Sequence, residues 1–462
     1  MNFRICTLLL AMGAGASVSA EVLTVGPNGT YPSLQAALNV AQNNGEDDEI
    51  RIQAGLLQTS ATATLNENFF LEIIGGWNSS FSSGVDDPSA TELTGSQSQR
   101  VLSLTINAGQ VLVRNLTLAD GSANVGGAGA DIVVDGNASF ELAQCRVLRN
   151  AANASTGTGG GGGVRIQQLG NSTAEVGQCL FAQNLVSGGT VSGGGLLVTA
   201  DDGSFTGNGL TFINNSAFGS VVARGGGLAV DVGGGGDPSA TLTRLSVRNN
   251  QVVSDAVSEG AGMRVINNPS ASGPFVTIEG AEFRGNRRDG SATGASQLEV
   301  DAADGNVTLR SIAVVDGNNV SGLGIDAVST AQVYAINTTA VNNDVDGIRH
   351  EDGSNNTQTQ YNAVAFGNGV AQFVFGDDGN GNNLSAGNIV AIDPGVIDFA
   401  NGNYRLSTGS SAIDSCINAP VGGIGLIDAD FEARVVGTTV DCGAYEWSAD
   451  QDQLFSDRFQ SD

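Results

Sequence analysis

Gly160-Gly161-Gly162-Gly163-Val164 opens a phrase that closes on Cys179-Leu180-Phe181-Ala182-Gln183-Asn184. The chain then repeats it: Gly193-Gly194-Gly195-Leu196 opens, and Leu210-Thr211-Phe212-Ile213-Asn214-Asn215 closes. Aligned on the closing Asn, the phrase recurs at Asn150, Asn184, Asn215, Asn250, Asn286, Asn318, Asn343 and Asn368, in steps of 34, 31, 35, 36, 32, 25 and 25 residues. A drifting period of this size marks a solenoid, whose units bury their apolar faces only on each other. Asp120 is read as closing an earlier unit.

The register inside the phrase defines its secondary structure. Five residues before each Asn stand Cys145, Cys179, Leu210, Leu245, Ala281, Ala313, Thr338 and Ala363; three before it stand Val147, Phe181, Phe212, Val247, Phe283, Val315, Ala340 and Ala365. Between them lies a mixed column, Arg146, Leu180, Thr211, Ser246, Glu282, Val314, Thr339 and Val364. Two apolar columns flanking a mixed one have period two, the signature of a strand with one face inward.

A second strand follows each glycine cluster, as in Val164-Arg165-Ile166, Leu196-Leu197-Val198, Met263-Arg264-Val265 and Leu298-Glu299-Val300, and a third is read at Ser139-Phe140-Glu141-Leu142 and its equivalents. Short strands without intervening helix, stacked turn on turn, make an all-β parallel β-helix. The corner Asn residues are expected in the left-handed region, with their amides stacked from rung to rung. The glycine clusters permit tight corners.

The 462 residues carry a formal charge of −28, and all nineteen basic residues are Arg. Nucleic acid is therefore excluded as the natural partner, because it requires basic surface to displace counterions. Met1 to Arg4 form a short basic region, Ile5 to Ala16 an apolar one, and Val18-Ser19-Ala20 supplies small residues for cleavage; this reads as a signal peptide over 1–20. No later run has the length of a membrane span. The expected destination is secreted or cell-surface.

Residues 21–100 read as a cap with the first rungs. A strand at Val22–Val25 is followed by a helix from Tyr31 to Ala41 with Ser33 as N-cap, then a strand at Glu49–Ile52. This entry, continued through Ile73-Ile74-Gly75-Gly76-Trp77 and Arg100-Val101-Leu102, resembles that of right-handed parallel β-helix proteins, including many carbohydrate-active ones. The Phe-x-x-Asn endings also resemble repeats of polymorphic outer-membrane adhesins, without the membrane barrel those proteins carry. The repeats proper are placed at 101–400.

Residues 401–447 change character: Tyr404-Arg405-Leu406, Ala412-Ile413-Asp414, Asp430-Phe431-Glu432-Ala433-Arg434 and Gly443-Ala444-Tyr445-Glu446 follow in order. They are similar to the choice-of-anchor Q domain of secreted β-helix proteins. The resemblance implies a module beside a surface-anchoring signal, with 448–462 as an acidic tail. Cys416 and Cys442 are this chain's departures from the domain's pattern, which implies that they pair. Cys145 and Cys179 share one inward column on adjacent rungs, at about 4.8 Å, and are read either as a disulfide or as two stacked thiols.

Stacked rungs present a linear face suited to long polymers. Paired carboxylates would serve hydrolysis, but Asp86, Asp87, Asp201, Asp202, Asp301, Asp304, Asp377 and Asp378 all read as turn formers in glycine-rich bends. The Gly-His-Gly and Arg-Ile-Lys motifs of the polygalacturonase type are missing, and the single His, His350, reads as structural or as a catalytic acid–base. Arg244, Arg248, Arg284, Arg287 and Arg288 converge near one corner as a candidate anion-binding stripe, with Arg284 and Arg288 its candidate catalytic members; ion pairs with Asp255, Glu279, Glu282 and Asp289 are the structural alternative. Gly126 to Val133 matches a calcium nonapeptide once. Asp377, Asp378, Asn380 and Asn382 are the candidate ligands of a structural Ca²⁺, no other cofactor being expected.

The expected protein is thus an exported, non-catalytic β-helix for adhesion or glycan binding, its partner a polysaccharide or a cell-surface component. The alternatives are a polysaccharide lyase or glycoside hydrolase, and a purely structural rod.

Overall fold

In the computed structural model, residues 20–155, 157–269, 275–292, 294–352, 356–375 and 382–449 are described. The expected signal peptide lies, but for Ala20, outside them. Among the described residues three long sheets stack rung upon rung with parallel pairing throughout: sheet I of eleven strands, sheet II of twenty and sheet III of eight. One rung illustrates the path. It runs through Ala130–Val134 in sheet I, Ser139–Ala143 and Arg146–Leu148 in sheet II, and Ala151–Asn153 in sheet III. The chain then enters the next rung at Val164–Leu169, which lies beside Ala130–Val134 in register Ile132 to Ile166. Parallel crossovers of this kind are right-handed, and the fold is a right-handed parallel β-helix.

Period-two burial builds the core. Leu102–Ile106 alternates buried and half-buried, and the inward columns read from sequence are buried, with Phe181 and Phe212 stacked at 4.8 Å between ring centres. Cys145 and Cys179 sit in this core as free thiols; the Cys145 backbone N–H donates to Cys179 Sγ at 3.4 Å. Burial pushes the Cys179 thiol up, so it stays protonated.

The corner between sheets II and III corrects two expectations. The left-handed residue is the one before each ladder place: Arg149, Gln183, Asn214, Asn249 and Asn342 before an Asn, and Asp120 and Asp316 before a Gly, have φ between 52° and 58°. That backbone twist turns the next side chain inward. Asn150 Nδ2 donates to Asn184 Oδ1, Asn184 to Asn215, and Asn215 to Asn250, each at 2.9 Å, and each amide is at most 1 % exposed. At the first of these corners Gly121 holds the ladder place and donates its N–H to Asn150 Oδ1, so Asp120 is one residue early.

Asn318 is not in the ladder. Arg284 pairs with Val315, and Val315 with Val341, which puts Gly317 opposite Asn286 and Asn343 and leaves Asn318 exposed. Ile312 and Val314, not Ala313 and Val315, therefore occupy the inward columns. The gap is filled by Gln297, whose Oε1 accepts from Asn286 Nδ2 at 3.0 Å and whose Nε2 donates to Asn343 Oδ1 at 2.7 Å. A longer side chain from the neighbouring corner reaches where glycine has none. The glycine clusters are required by proximity: a Cβ on Gly194 would lie 2.1 Å from the Gly226 carbonyl oxygen of the next rung.

Both flanks are covered. The helix Leu34–Ala41 is capped by Ser33 Oγ, which accepts from Ala36 N–H, and buries Leu34, Ala37, Leu38 and Ala41. Gln35 bonds Thr62 N–H and C=O at 2.8 and 2.9 Å, and Gln42 accepts from Thr64 N–H at 3.3 Å. Those side chains satisfy the open edge of Ala61–Leu65, the first strand of sheet I.

At the other end Asn403–Leu406, antiparallel to Val396–Asp398, begins a segment through Tyr445 that packs on the outside of sheet II. Ala313, Val315, Val341, Val364 and Phe366 form a second core there with Tyr404, Cys416, Cys442 and Tyr445. Cys416 and Cys442 form a disulfide with Cα atoms 5.2 Å apart. The motif acids of this segment cap backbone: Asp428 accepts from Asp430, Glu432 and Glu446 N–H, and Glu446 from Val436 and Asp441 N–H.

The ladder reading is tested by three substitutions. Asn215→Ala and Gln297→Ala each orphan buried amide groups and should cost about 2–3 kcal/mol. Asn318→Ala, on the surface, should stay within about 0.5 kcal/mol. Urea unfolding midpoints decide; a silent Gln297→Ala refutes the handover.

Candidate functional site

The arginines read as one stripe are separated by the fold. Arg244 occupies the left-handed bend of sheet II, φ 56°, and is exposed. Arg248 approaches Glu282 at 3.9 Å. Arg284 Nε donates to Glu282 at 2.8 Å, its Nη1 to Asp316, and its guanidinium lies 5.4 Å from the Tyr404 ring. Burial pushes the Glu282 carboxyl up, but Arg284, Arg405 and Arg248 outweigh it and hold it at about 2. Arg287 is exposed and bonds Gln251, and Arg288 donates to Asn319 at 2.8 Å. Arg284 is thus a half-buried ion-pair member beneath the C-terminal segment, engaged by Glu282 and Asp316. Of the acids expected as partners, Glu282 pairs with Arg284 and Arg248, and Asp289 with Arg287; Glu279 pairs with Arg310, and Asp255 accepts from Ser291.

His350 is likewise withdrawn from the surface. It points into the core, 0 % exposed, with Nδ1 2.8 Å from Gln358 Oε1 and Nε2 3.3 Å from Gln360 Oε1. As a catalytic acid–base it is corrected: no polymer on the outside of the rod reaches it. Asp377, Asp378 and Asn380 lie outside the described residues; Asn382 begins the strand Asn382–Ala386. Asp131 of the nonapeptide is occupied by Arg165 at 2.7 Å and Arg100 at 3.1 Å. Among the described residues, no group of three or more His, Cys, Asp or Glu side chains is arranged to hold a metal.

What the fold does bring together lies on the outer face of sheet I. The register stacks Ala229, Arg264, Glu299, Gly324 and Arg349 in one outward column and Asp231, Ile266, Asp301, Asp326 and Glu351 in the next. Arg224 and Arg264 share Glu259 at 2.6 and 2.8 Å, and Arg264 also pairs with Asp301. Arg349 reaches down past Gly324 to Glu299 at 3.5 Å, while its Nη1 holds Glu351 at 2.6 Å. Gly324 makes that reach possible: a Cβ there would stand 2.9 Å from Glu299 Oε1 and 2.3 Å from Ser296 Oγ.

The electrostatics of this face are perturbed. Burial pushes Glu299 up to about 7, against the pull of Arg349 and the Ser296 N–H that donates to it at 2.9 Å. Asp326, the exposed acid one rung on, is raised by desolvation and by Glu351, against Arg349. Desolvation also raises Asp231 and lowers Arg264. The Arg264 side chain is 7 % exposed, and its Nη1 is a buried donor without a hydrogen-bond partner among the described residues. Glu299 and Asp326 are diagonal neighbours with backbones roughly 7–8 Å apart. A pair of carboxyl groups is the residue set that glycoside hydrolysis uses.

A second row lies on sheet II. Glu141 and Glu175 are directly opposed on adjacent rungs, with Glu72 and Arg114 paired nearby. Burial and the Glu175 charge raise the Glu141 carboxyl. This row is shallower, and Glu175 is exposed.

The sequence signal for the sheet I site was the middle residue of each second strand, Arg264 and Glu299 among them. Asp301 was misread as a bend; it belongs to the strand Ser296–Ala302.

No protein-family model matches this chain, and no curated protein is significantly similar to it. Solved structures do resemble it. The periplasmic alginate epimerase AlgG aligns at 12 % identity and a TM-score of 0.40, over 76 % of this chain and 87 % of that one. The pectate lyase Pel9A aligns at 14 % and 0.47, over 94 % and 98 %. The PL6 family polysaccharide lyase Pedsa3628 from Pseudopedobacter saltans aligns at 12 % and 0.35, over 92 % and 99 %. At this identity the likeness is one of fold. The expectation of a non-catalytic protein for adhesion or glycan binding is corrected here: the solved structures found are those of enzymes. Glu299 and Asp326 were not among the acids considered as candidates.

Removing Arg284 should act on stability and not on polymer recognition. Arg284→Ala leaves Glu282 buried without its main partner and should cost about 3–5 kcal/mol, read from the unfolding midpoint. Arg287→Ala, at the exposed end of the same group, should be near neutral.

Proposed function

We propose that this protein is an exported enzyme acting on a polysaccharide laid along the outer face of sheet I. The carrying observation is Glu299, a carboxyl poised at about 7 between two guanidiniums and next to an acid of separate environment. Pairs of titratable groups whose surroundings set them apart are how one site supplies both an acid and a base near neutral pH. Glu299 is the proton donor or acceptor at the scissile oxygen, Asp326 its carboxyl partner, and Arg264 and Arg349 fix the charge between them.

Export is supported by the small-residue cleavage site near Ala20 and by the Cys416–Cys442 disulfide, which persists in oxidising compartments. In this reading the 401–447 segment is the choice-of-anchor Q-like module that displays the rod, and 448–462 its tail. The candidate Ca²⁺ of Asp377, Asp378, Asn380 and Asn382 is carried as structural; chelation should then lower the unfolding midpoint, and an unchanged midpoint removes the ion from the proposal.

Glu299→Gln decides the reading. On a panel of acidic and neutral polysaccharides, the variant should lose about 10²–10⁴-fold in turnover while keeping its unfolding midpoint. With Glu299 as acid, wild-type turnover should fall as pH rises through about 7, and the variant should lose that limb. Full activity in Glu299→Gln ends the assignment.

A further inference from the structure

Resting on the enzymatic reading above, we infer that the substrate is a glycan without negative charge, and that the reaction is hydrolysis of its glycosidic bond. The argument is the charge on the face itself. Around Glu299 stand six carboxyl groups, Asp231, Glu259, Glu299, Asp301, Asp326 and Glu351, against three guanidiniums, Arg224, Arg264 and Arg349. All three guanidiniums are already engaged: Arg224 with Glu259, Arg264 with Glu259 and Asp301, Arg349 with Glu351 and Glu299.

Elimination from a uronate needs a cation on the sugar carboxylate, so that the carbon beside it can lose a proton. Here each cation would first have to leave a carboxylate of the protein. Carboxyl groups outnumber guanidiniums six to three on this face, inside a chain of net charge −28. A polyuronate meets like charge both at long range and at contact. An uncharged or amino-bearing glycan meets no like charge from these carboxyl groups.

The step balances. Glu299 gives its proton to the leaving glycosidic oxygen as the anomeric C–O bond breaks. A water adds to the anomeric carbon from the other side and passes its proton to the Asp326 carboxylate. One water is consumed, one new reducing end appears, and the two carboxyls exchange their proton back through solvent.

The test compares polymers of one backbone that differ in charge: polygalacturonate with its fully methyl-esterified form, alongside neutral glycans of several linkages and chitosan, at low salt. Reducing ends and absorbance of unsaturated ends are both followed. The expected result is reducing ends without unsaturated ends, from a neutral or amino glycan, at a rate at least tenfold above that on polygalacturonate. Unsaturated ends, or a preference for the polyanion, overturn this inference and leave the enzymatic reading standing. No cleavage of any polymer by the wild-type protein overturns the enzymatic reading and this inference with it.

Discussion

Everything in this molecule depends on rungs stacking in register at the spacing of a backbone hydrogen bond. A β-helix has no interior other than the one its rungs share, so a slip of one residue would turn an apolar column outward. The Asn ladder opposes that slip. Asn184 shows the pattern: its Oδ1 accepts from the backbone and side chain of Asn150 in the preceding rung, and its buried Nδ2 donates to the Val147 carbonyl of that rung and to Asn215 Oδ1 of the next. Such groups are costly to orphan, and the ladder therefore fixes the corner from which both the sheet III strand and the glycine-lined approach to sheet I depart.

The register then decides what the outer faces can do. Residues far apart in sequence, Arg264, Glu299 and Arg349, become neighbours because their strands are stacked, and the side chains between them set how closely they meet. Gly324 is the local permission: one missing Cβ lets a guanidinium cross a rung to reach a carboxylate. Burial of that carboxylate, unusual on an outward strand position, pushes it to about 7.

Much of the architecture was legible because a period-two pattern repeated over many rungs needs no tertiary information. The inward columns, the strands of sheets I and II, the capping helix and the Cys416–Cys442 pair were visible as pattern or resemblance, whereas the sheet III strands, such as Ala151–Asn153, were not read. The failures are of another kind. Asn318 was aligned by residue identity, whereas the backbone admits a glycine there and recruits Gln297 from a neighbouring corner. Arg284 looked like surface because its strand position points outward, and it does, but the C-terminal segment covers it. His350 is structural, one of its two readings, and only the placement of Gln358 and Gln360 reveals the inward pocket that holds it. The Glu299 site required knowing which outward residues adjoin across rungs.

The C-terminal segment does not sit on the end of the rod. It lies along the flank, where Arg310 donates to the Gly422 carbonyl, Leu426 N–H to Glu279, Ala444 N–H to Thr339 and Asn362 to the Ile417 carbonyl. Its attachments are therefore spread over several successive turns, and the disulfide knots the segment to itself. A tether pulling on that segment would load those turns together in shear, across many bonds at once, rather than peel the last turn away one bond at a time. The solenoid would be gripped by its side, with its final turns sharing the tension with the turns before them.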